Sequence, residues 1–346
     1  MQPGLYNTDG FTPFDELLER EILRLEDGTL LGNYYDFDYM SLEEIEKVVE
    51  VIKRLNPEII IPDYKDEDND EIAEFFDRNF SDTHLMGKLV LPDTVTNIGH
   101  EAFCSCIALE EVVLPETVKN LDRAAFASCI ELKKVNFPEE LKIIGRNCFY
   151  NCPNLKGVNL RNVEEIRYGA FYDCVALTDV LLSDKLKELG TYVFYNCKKL
   201  TTIEIPDSIE EIKKMTFSQC KNLKNVKLSK NLKEIKKGAF EYCKLEQIEI
   251  PDNVEKIEQY AFRKNPLTQV VIPIKTLSCA ADVFEDCEKL KDIIYLGKIE
   301  TLKSGDFPKG TRSIDELEIE DMLSVLKINS FKDINNVYKI NKEESR

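Results

Sequence analysis

Apolar positions between residues 89 and 296 recur with a fixed long period, and the phenylalanines mark it. Phe103, Phe126, Phe149, Phe171, Phe194, Phe217, Phe240, Phe262 and Phe284 follow one another at intervals of 22 or 23 residues. Within each interval the pattern repeats. Apolar residues stand eight and five places before the Phe, as in Val118 and Leu121 or Ile209 and Ile212, and a small residue such as Ala125 or Ala239 often precedes it directly. A leucine follows six places after most of them (Leu109, Leu132, Leu155, Leu177, Leu200, Leu223). Then comes a short alternating run, Val112-Val113-Leu114 or Ile203-Glu204-Ile205, that reads as a strand, and Pro115, Pro138, Pro206, Pro251 and Pro273 punctuate several of these runs. A period in the twenties predicts a solenoid, in which each unit buries its apolar face only by stacking on its neighbours.

The flanks follow a different pattern. Thr12 and Pro13 offer an N-cap and a proline at the first helical position, Leu17, Leu18, Ile22 and Leu25 form a stripe at helical spacing, and Gly28 is a stop. Ser41 and Glu44 make a capping box for a second helix whose buried face is Leu42, Ile45, Val48, Val49, Ile52 and Leu55, ended by Pro57. These two helices either cover the open end of the solenoid or form a small functional domain of their own. Ile59-Ile60-Ile61-Pro62 resembles a strand end, and Phe80, 23 residues before Phe103, marks a distorted first repeat. Beyond residue 299 the period fades, and Ser313 and Glu316 cap a further helix carrying Ile314, Leu317, Met322, Leu323 and Leu326. The fold expected is therefore an α/β solenoid, a parallel strand ladder flanked by helical caps. Its parts are an acidic N-terminal segment (1–84), the repeats (85–298) and a C-terminal cap (299–346).

Charge narrows the partners. The chain of 346 residues carries a formal net charge of −18, and residues 1–84 hold 23 Asp/Glu against 7 Lys/Arg, so most of the acidity sits there. The repeats themselves are neutral, with 31 of each sign in 85–298. An acidic chain repels phosphate, which argues against nucleic acid and anionic membrane surfaces. No apolar run reaches the length of a spanning helix, so membrane insertion is not expected. The N-terminus MQPGLYNTDG has neither a basic nor an apolar leader region, so the chain as it stands reads as cytoplasmic, and as secreted or surface-bound if a leader was removed. Oligomeric state is not encoded in any of these features.

The chemistry-bearing residues suggest no reaction. Cys106, Cys129, Cys152, Cys174, Cys197, Cys220, Cys243 and Cys287 stand three places after their Phe, and Asn265 takes that slot after Phe262. Zinc sites draw four ligands from converging loop pairs, which this single column does not supply, so the ladder reads as core filling by small apolar thiols. Cys104 alone is expected at the surface. Its neighbour His100 has no third group or oxyanion donor to complete a nucleophilic site. Asp66, Asp68 and Asp70 imitate half of a calcium loop, but Glu71 stands where that loop turns on glycine. Neither cofactor nor metal nor catalysis is expected.

The repeated motif L-x-x-I-x-x-x-A-F-x-x-C-x-x-L-x-x-V-x-L-P, nearly intact at Leu232, Ile235, Ala239, Phe240, Cys243 and Leu245, resembles the BspA-like, or Treponema pallidum type, leucine-rich repeats. The resemblance spans nine repeats and more than half of the chain. It implies a right-handed curved leucine-rich-repeat array and a role in adhesion or protein recognition, often on microbial surfaces. Within the repeats, strand alternation turns Glu111, Val113, Lys133, Lys134, Asn136, Lys156, Asn159, Asp179, Leu181, Thr202, Glu204, Lys227, Glu249 and Val271 outward, where composition is free to vary. These are the candidate binding residues, for a protein or a surface glycan. Val113, Leu181, Val271 and Ile294 are expected to be exposed apolar contacts. The alternative organisation is a two-part effector, with the N-terminal segment acting and the repeats choosing the target.

Overall fold

The computed structural model describes residues 23–26, 29–32, 87–91, 95–296 and 308–313. The chain divides into two compact units, Met1–Lys199 and Leu200–Arg346. Each is a stack of repeats.

In the first unit every turn contributes two strands. The predicted alternating runs form one row: Gly87–Val90, Leu109–Val113 and Lys134–Val135 pair in parallel, as do Gly157–Leu160 and Asp179–Leu182. The second row consists of two-residue strands ending five places before each Phe. Asn97–Ile98, Asn120–Leu121, Ile143–Ile144, Glu165–Ile166 and Glu188–Leu189 lie side by side as a five-stranded parallel sheet. One inward residue per strand (Ile98, Leu121, Ile144, Ile166, Leu189) is buried in each case.

The Phe segment closes the third side of each turn. Residues two before and two after the ring take the left-handed conformation: Glu101 and Ser105 around Phe103, Asn147 and Asn151 around Phe149, Tyr192 and Asn196 around Phe194. In the Phe149 turn the backbone N–H groups of both left-handed residues and of the Phe between them all donate to the next turn. Asn147 donates to the Tyr168 carbonyl, Phe149 to Ala170 and Asn151 to Tyr172, each at 2.8 Å. Alternate N–H groups close short turns within their own repeat, as Tyr150 does on Asn147 at 2.9 Å. The rings then stack face to face: Phe103, Phe126, Phe149, Phe171 and Phe194 stand 5.2 to 5.5 Å apart between centroids, within 6° of parallel. Left-handed backbone at a non-glycine residue is unfavourable by about 1–2 kcal/mol. The inter-turn hydrogen bonds and the buried stack offset that cost.

The second unit repeats the plan. Glu211–Ile212, Glu234–Ile235, Lys256–Ile257 and Ser278–Cys279 form its short-strand sheet, and Thr202–Glu204 pairs with Asn225–Lys227. Gln269–Ile272, Asp292–Tyr295 and Thr311–Ser313 make a three-stranded sheet. Phe217, Phe240, Phe262 and Phe284 stack at 5.3 to 5.7 Å.

Every regular element among the described residues is a strand, so the α/β expectation is corrected: the described residues form a β-solenoid with no helix among them. Two left-handed residues four places apart leave no room for a helix on the return path of a repeat this short. The helix expected from Pro13 to Gly28 is overturned at its C-terminal end, where Leu23–Glu26 pairs antiparallel with Thr29–Gly32. Asp27-Gly28 between them is a strong hairpin dipeptide, which outweighs the helical spacing of the leucines. Ser313, expected as a helix N-cap, ends a strand. The helix after Ser41, the strand end at Ile59–Ile61, the acidic loop, the repeat at Phe80 and the helix beyond Ser313 lie outside the described residues.

Candidate binding surface

All eleven cysteines carry free thiols, and ten are buried. Across turns the ladder thiols donate to the carbonyl of the preceding turn's Phe: Cys129 to Phe103, Cys152 to Phe126 and Cys174 to Phe149 at 3.1 Å, Cys197 to Phe171 at 3.3 Å. Cys243 and Cys287 repeat this in the second unit. Burial holds the thiols protonated, pushing that of Cys174 up to about 12 and those of Cys129, Cys148, Cys152 and Cys243 well above the usual range. They are packing groups with one weak hydrogen bond each, poor nucleophiles by their protonation.

Asn265 performs the same task in the odd slot. Its side-chain nitrogen donates to the Phe240 carbonyl at 2.7 Å and the residue is 2% exposed. Cys104 is half-buried beside Ser105, and His100 faces Glu101 at 3.2 Å. No group of three or more His, Cys, Asp or Glu able to hold a metal occurs among the described residues.

In the first unit, much of the outward strand row is charge that pairs with itself. Register places Glu111 opposite Lys88 on one side and Lys134 on the other. Its carboxylate lies 3.2 Å from Lys88 and 3.3 Å from Lys134, and these hydrogen bonds hold it below its ordinary pKa. Lys133 bonds Glu110 at 2.8 Å. Val113 is half-buried. Asn136 is occupied by the backbone: it accepts from the Leu114 N–H at 2.6 Å and donates to the Leu114 carbonyl at 2.7 Å.

The neighbouring strand pair differs. Asn159 and Leu181 are register partners on adjacent strands. Both are exposed, Leu181 by 46%, with Lys156 and Asp179 exposed beside them. Asp179 accepts from the Thr178 hydroxyl at 2.7 Å. Lys156 and Asn159 make no side-chain hydrogen bond or ion pair among the described residues.

In the second unit Thr202 is exposed, and Glu204 and Lys227, paired in register, form an ion pair. Glu249 is exposed on a stretch with no strand pairing, in a repeat one residue shorter between Cys243 and Leu245. Val271 is half-buried. Ile294, expected outward with it, is instead fully buried, and its strand Asp292–Tyr295 buries Ile293 and Tyr295 as well. A strand covered on both faces reads as a continuous apolar run, and Ile293-Ile294-Tyr295 is one. The outward alternation does not reveal a group of tyrosines on the Phe side of the first unit, whose signal in the sequence is a Tyr directly after Phe149, Phe171 and Phe194.

These features define a leucine-rich-repeat β-solenoid, a scaffold class that presents side chains for interaction with other proteins. The sequence matches the BspA type leucine rich repeat region over overlapping stretches, 74–201, 144–266, 187–311 and 255–345, and the chain belongs to that family. Among solved structures it is similar to a leucine-rich repeat protein from Bacteroides ovatus, at 23% identity over 84% of this chain and 75% of that one, with a TM-score of 0.60. It is also similar to a T. pallidum leucine rich repeat protein, at 29% identity over 45% of this chain and 76% of that one, with a TM-score of 0.42. No curated protein matches the chain significantly. Among the described residues no helix is long and apolar enough to cross a membrane.

Proposed function

We propose that the protein is a non-catalytic recognition module whose outward strand row grips another protein, with the contact centred on Lys156, Asn159, Asp179 and Leu181. One observation carries this reading. Asn159 and Leu181 stand side by side on paired strands, exposed, while the adjoining Glu110, Glu111, Lys88, Lys133 and Lys134 neutralise one another. Self-paired surface charges bring little affinity, because a partner must first break them and they are already screened. An exposed leucine flanked by an amide and ions of both signs has the character of an interface centre with a polar rim. The paired residues Glu111, Val113, Lys133, Lys134 and Asn136 set the margin of this contact. Thr202, Glu204, Lys227, Glu249 and Val271 are the corresponding outward positions of the second unit.

The test is affinity capture with the full chain from its native source, followed by binding measurements on the purified partner. Replacing Leu181→Arg together with Asn159→Arg should weaken that binding by about tenfold or more. Unchanged affinity in the double variant would show that the strand row is the wrong face.

A further inference from the structure

Five tyrosines lie together on the Phe side of the first unit, away from the strand row. Tyr150, Tyr172 and Tyr195 each follow their Phe, and Tyr168 and Tyr192 precede theirs. Their rings form one connected group: Tyr172 meets Tyr195 at 4.5 Å, Tyr150 at 5.2 Å and Tyr192 at 6.1 Å, and Tyr192 meets Tyr168 at 5.6 Å. Tyr150 and Tyr168 are 38% and 40% exposed. The hydroxyls of Tyr150, Tyr168 and Tyr172 make no hydrogen bond among the described residues.

One cation borders the group and a second occupies the equivalent slot one turn away. The Arg146 guanidinium lies 5.4 Å from the Tyr168 ring centre, and Arg123 fills the same slot one turn earlier, its carbonyl accepting from Glu101 as that of Arg146 accepts from Ala124. Both are exposed and neither forms an ion pair among the described residues. Three carboxylates of these turns are engaged with other residues: Asp173 accepts from Asn196, Glu101 faces His100 and Glu165 holds Arg167.

Packing decides what such a surface offers. Tyr172 and Tyr195 lie within 20° of parallel and cover each other's faces, while the other rings are tilted against their neighbours. The electron-rich faces of Tyr172 and Tyr195 are therefore turned on each other, and that of Tyr168 meets Arg146. Ring edges, which carry the positive end of the quadrupole, and hydroxyl donors are left at the surface. Burial and its neighbours keep the Tyr172 hydroxyl protonated, with a pKa of about 12, so it remains a donor at neutral pH.

We infer that the Tyr150–Tyr168–Tyr172 group with Arg123 and Arg146 is a second interaction surface, separate from the strand row, that takes an acidic peptide segment of a partner protein. Positive ring edges, hydroxyl donors and two unpaired guanidiniums all complement carboxylates. An anionic glycan fits less well, because a sugar ring stacks on an open aromatic face, whereas Tyr172 and Tyr195 are stacked on each other and Tyr168 faces Arg146. Tyrosine supplies large contact area at small entropic cost, which suits a peptide laid across successive turns.

The test pans a random short-peptide library on the immobilised full chain. The recovered peptides are then measured by fluorescence anisotropy, with polygalacturonate oligomers as the glycan probe. The recovered sequences should be enriched in Asp and Glu, and their affinity should fall as ionic strength rises. The Arg123→Glu/Arg146→Glu variant should bind about tenfold more weakly or worse, and Tyr150→Ser/Tyr168→Ser should also lose affinity. Leu181→Arg/Asn159→Arg should stay within about twofold of the parent, which separates this surface from the strand row. The inference is overturned by recovered peptides without acidic enrichment, by affinity insensitive to salt, or by full binding in the arginine variant. Polygalacturonate binding without acidic-peptide binding would overturn it as well.

Discussion

The side-chain nitrogen of Asn265 lies 2.7 Å from the Phe240 carbonyl, where other turns place a cysteine thiol, and its oxygen accepts from the Leu245 N–H at 3.0 Å. The second contact sets Asn265 apart from the thiols of the ladder. In full-length turns the corresponding leucine donates to the carbonyl of its own cysteine, as Leu132 does to Cys129 at 3.1 Å and Leu223 to Cys220 at 2.9 Å. The Phe240 turn has one residue fewer between Cys243 and Leu245, and the Leu245 N–H turns instead to Asn265. A thiol can donate to a carbonyl but accepts poorly, whereas an amide does both.

Stability should therefore fall in the order Asn, Cys, Ala at position 265. Asn265→Cys keeps a donor for Phe240 but leaves the Leu245 N–H short of a partner. Asn265→Ala orphans both groups, at about 1–3 kcal/mol for each buried polar atom left unpaired. Urea denaturation of the three proteins checks the order, and a Cys variant as stable as the parent would refute the dual role.

How far this was legible in the sequence depends on how much of each feature is written in side-chain type. The Phe–x–x–Cys period gave the turns, and the alternating runs such as Ile203-Glu204-Ile205 gave most of the outward strand row. The second strand row stayed hidden because each strand is two residues long and shows a single inward apolar side chain, too little for a period-two signal. The left-handed pair in each turn is equally silent: positions such as Ala124, Tyr192 and Met215 have no intrinsic preference for it, and inter-turn hydrogen bonding imposes it. In the candidate site, alternation identified Asn159 and Leu181 as outward. It could not show that Glu110 and Glu111 are neutralised by Lys133, Lys88 and Lys134, since those partners come from neighbouring turns.

Thiol labelling should separate packing from chemistry. In the native protein, alkylation followed by intact mass analysis should modify Cys104 alone, and under denaturing, non-reducing conditions all eleven thiols should react.

Alkaline pH should destabilise the protein through the same groups. Folded thiols such as Cys152, Cys174 and Cys279 have raised pKa values, so the folded state keeps protons that the unfolded chain releases. Stability is then level below an unfolded thiol's pKa of about 8.5 and declines as pH climbs from there towards the folded value of about 12 for Cys174. Denaturation midpoints across that window check the sign, which replacement of one such cysteine by alanine should blunt.

Close backbone packing makes Gly145 intolerant of a side chain. A Cβ at Gly145 would lie 2.5 Å from the Asp122 carbonyl carbon and 2.7 Å from the Leu121 carbonyl oxygen, both rigid backbone atoms. Gly145→Ala should cost about 1–3 kcal/mol through backbone displacement. Gly157, whose Cβ would meet Asp179 at an ordinary 3.6 Å, should accept alanine with little loss. Parallel urea melts of the two variants make the comparison.

The most direct measurement of the recognition reading is a side-chain footprint of the full chain with and without its purified partner, by hydroxyl-radical labelling and mass spectrometry. The strand-row account predicts protection of Lys156, Asn159 and Leu181 in the complex, with labelling of the short-strand residues Glu165 and Glu188 unchanged. Unaltered labelling of Leu181 and its neighbours in a saturated complex would contradict it.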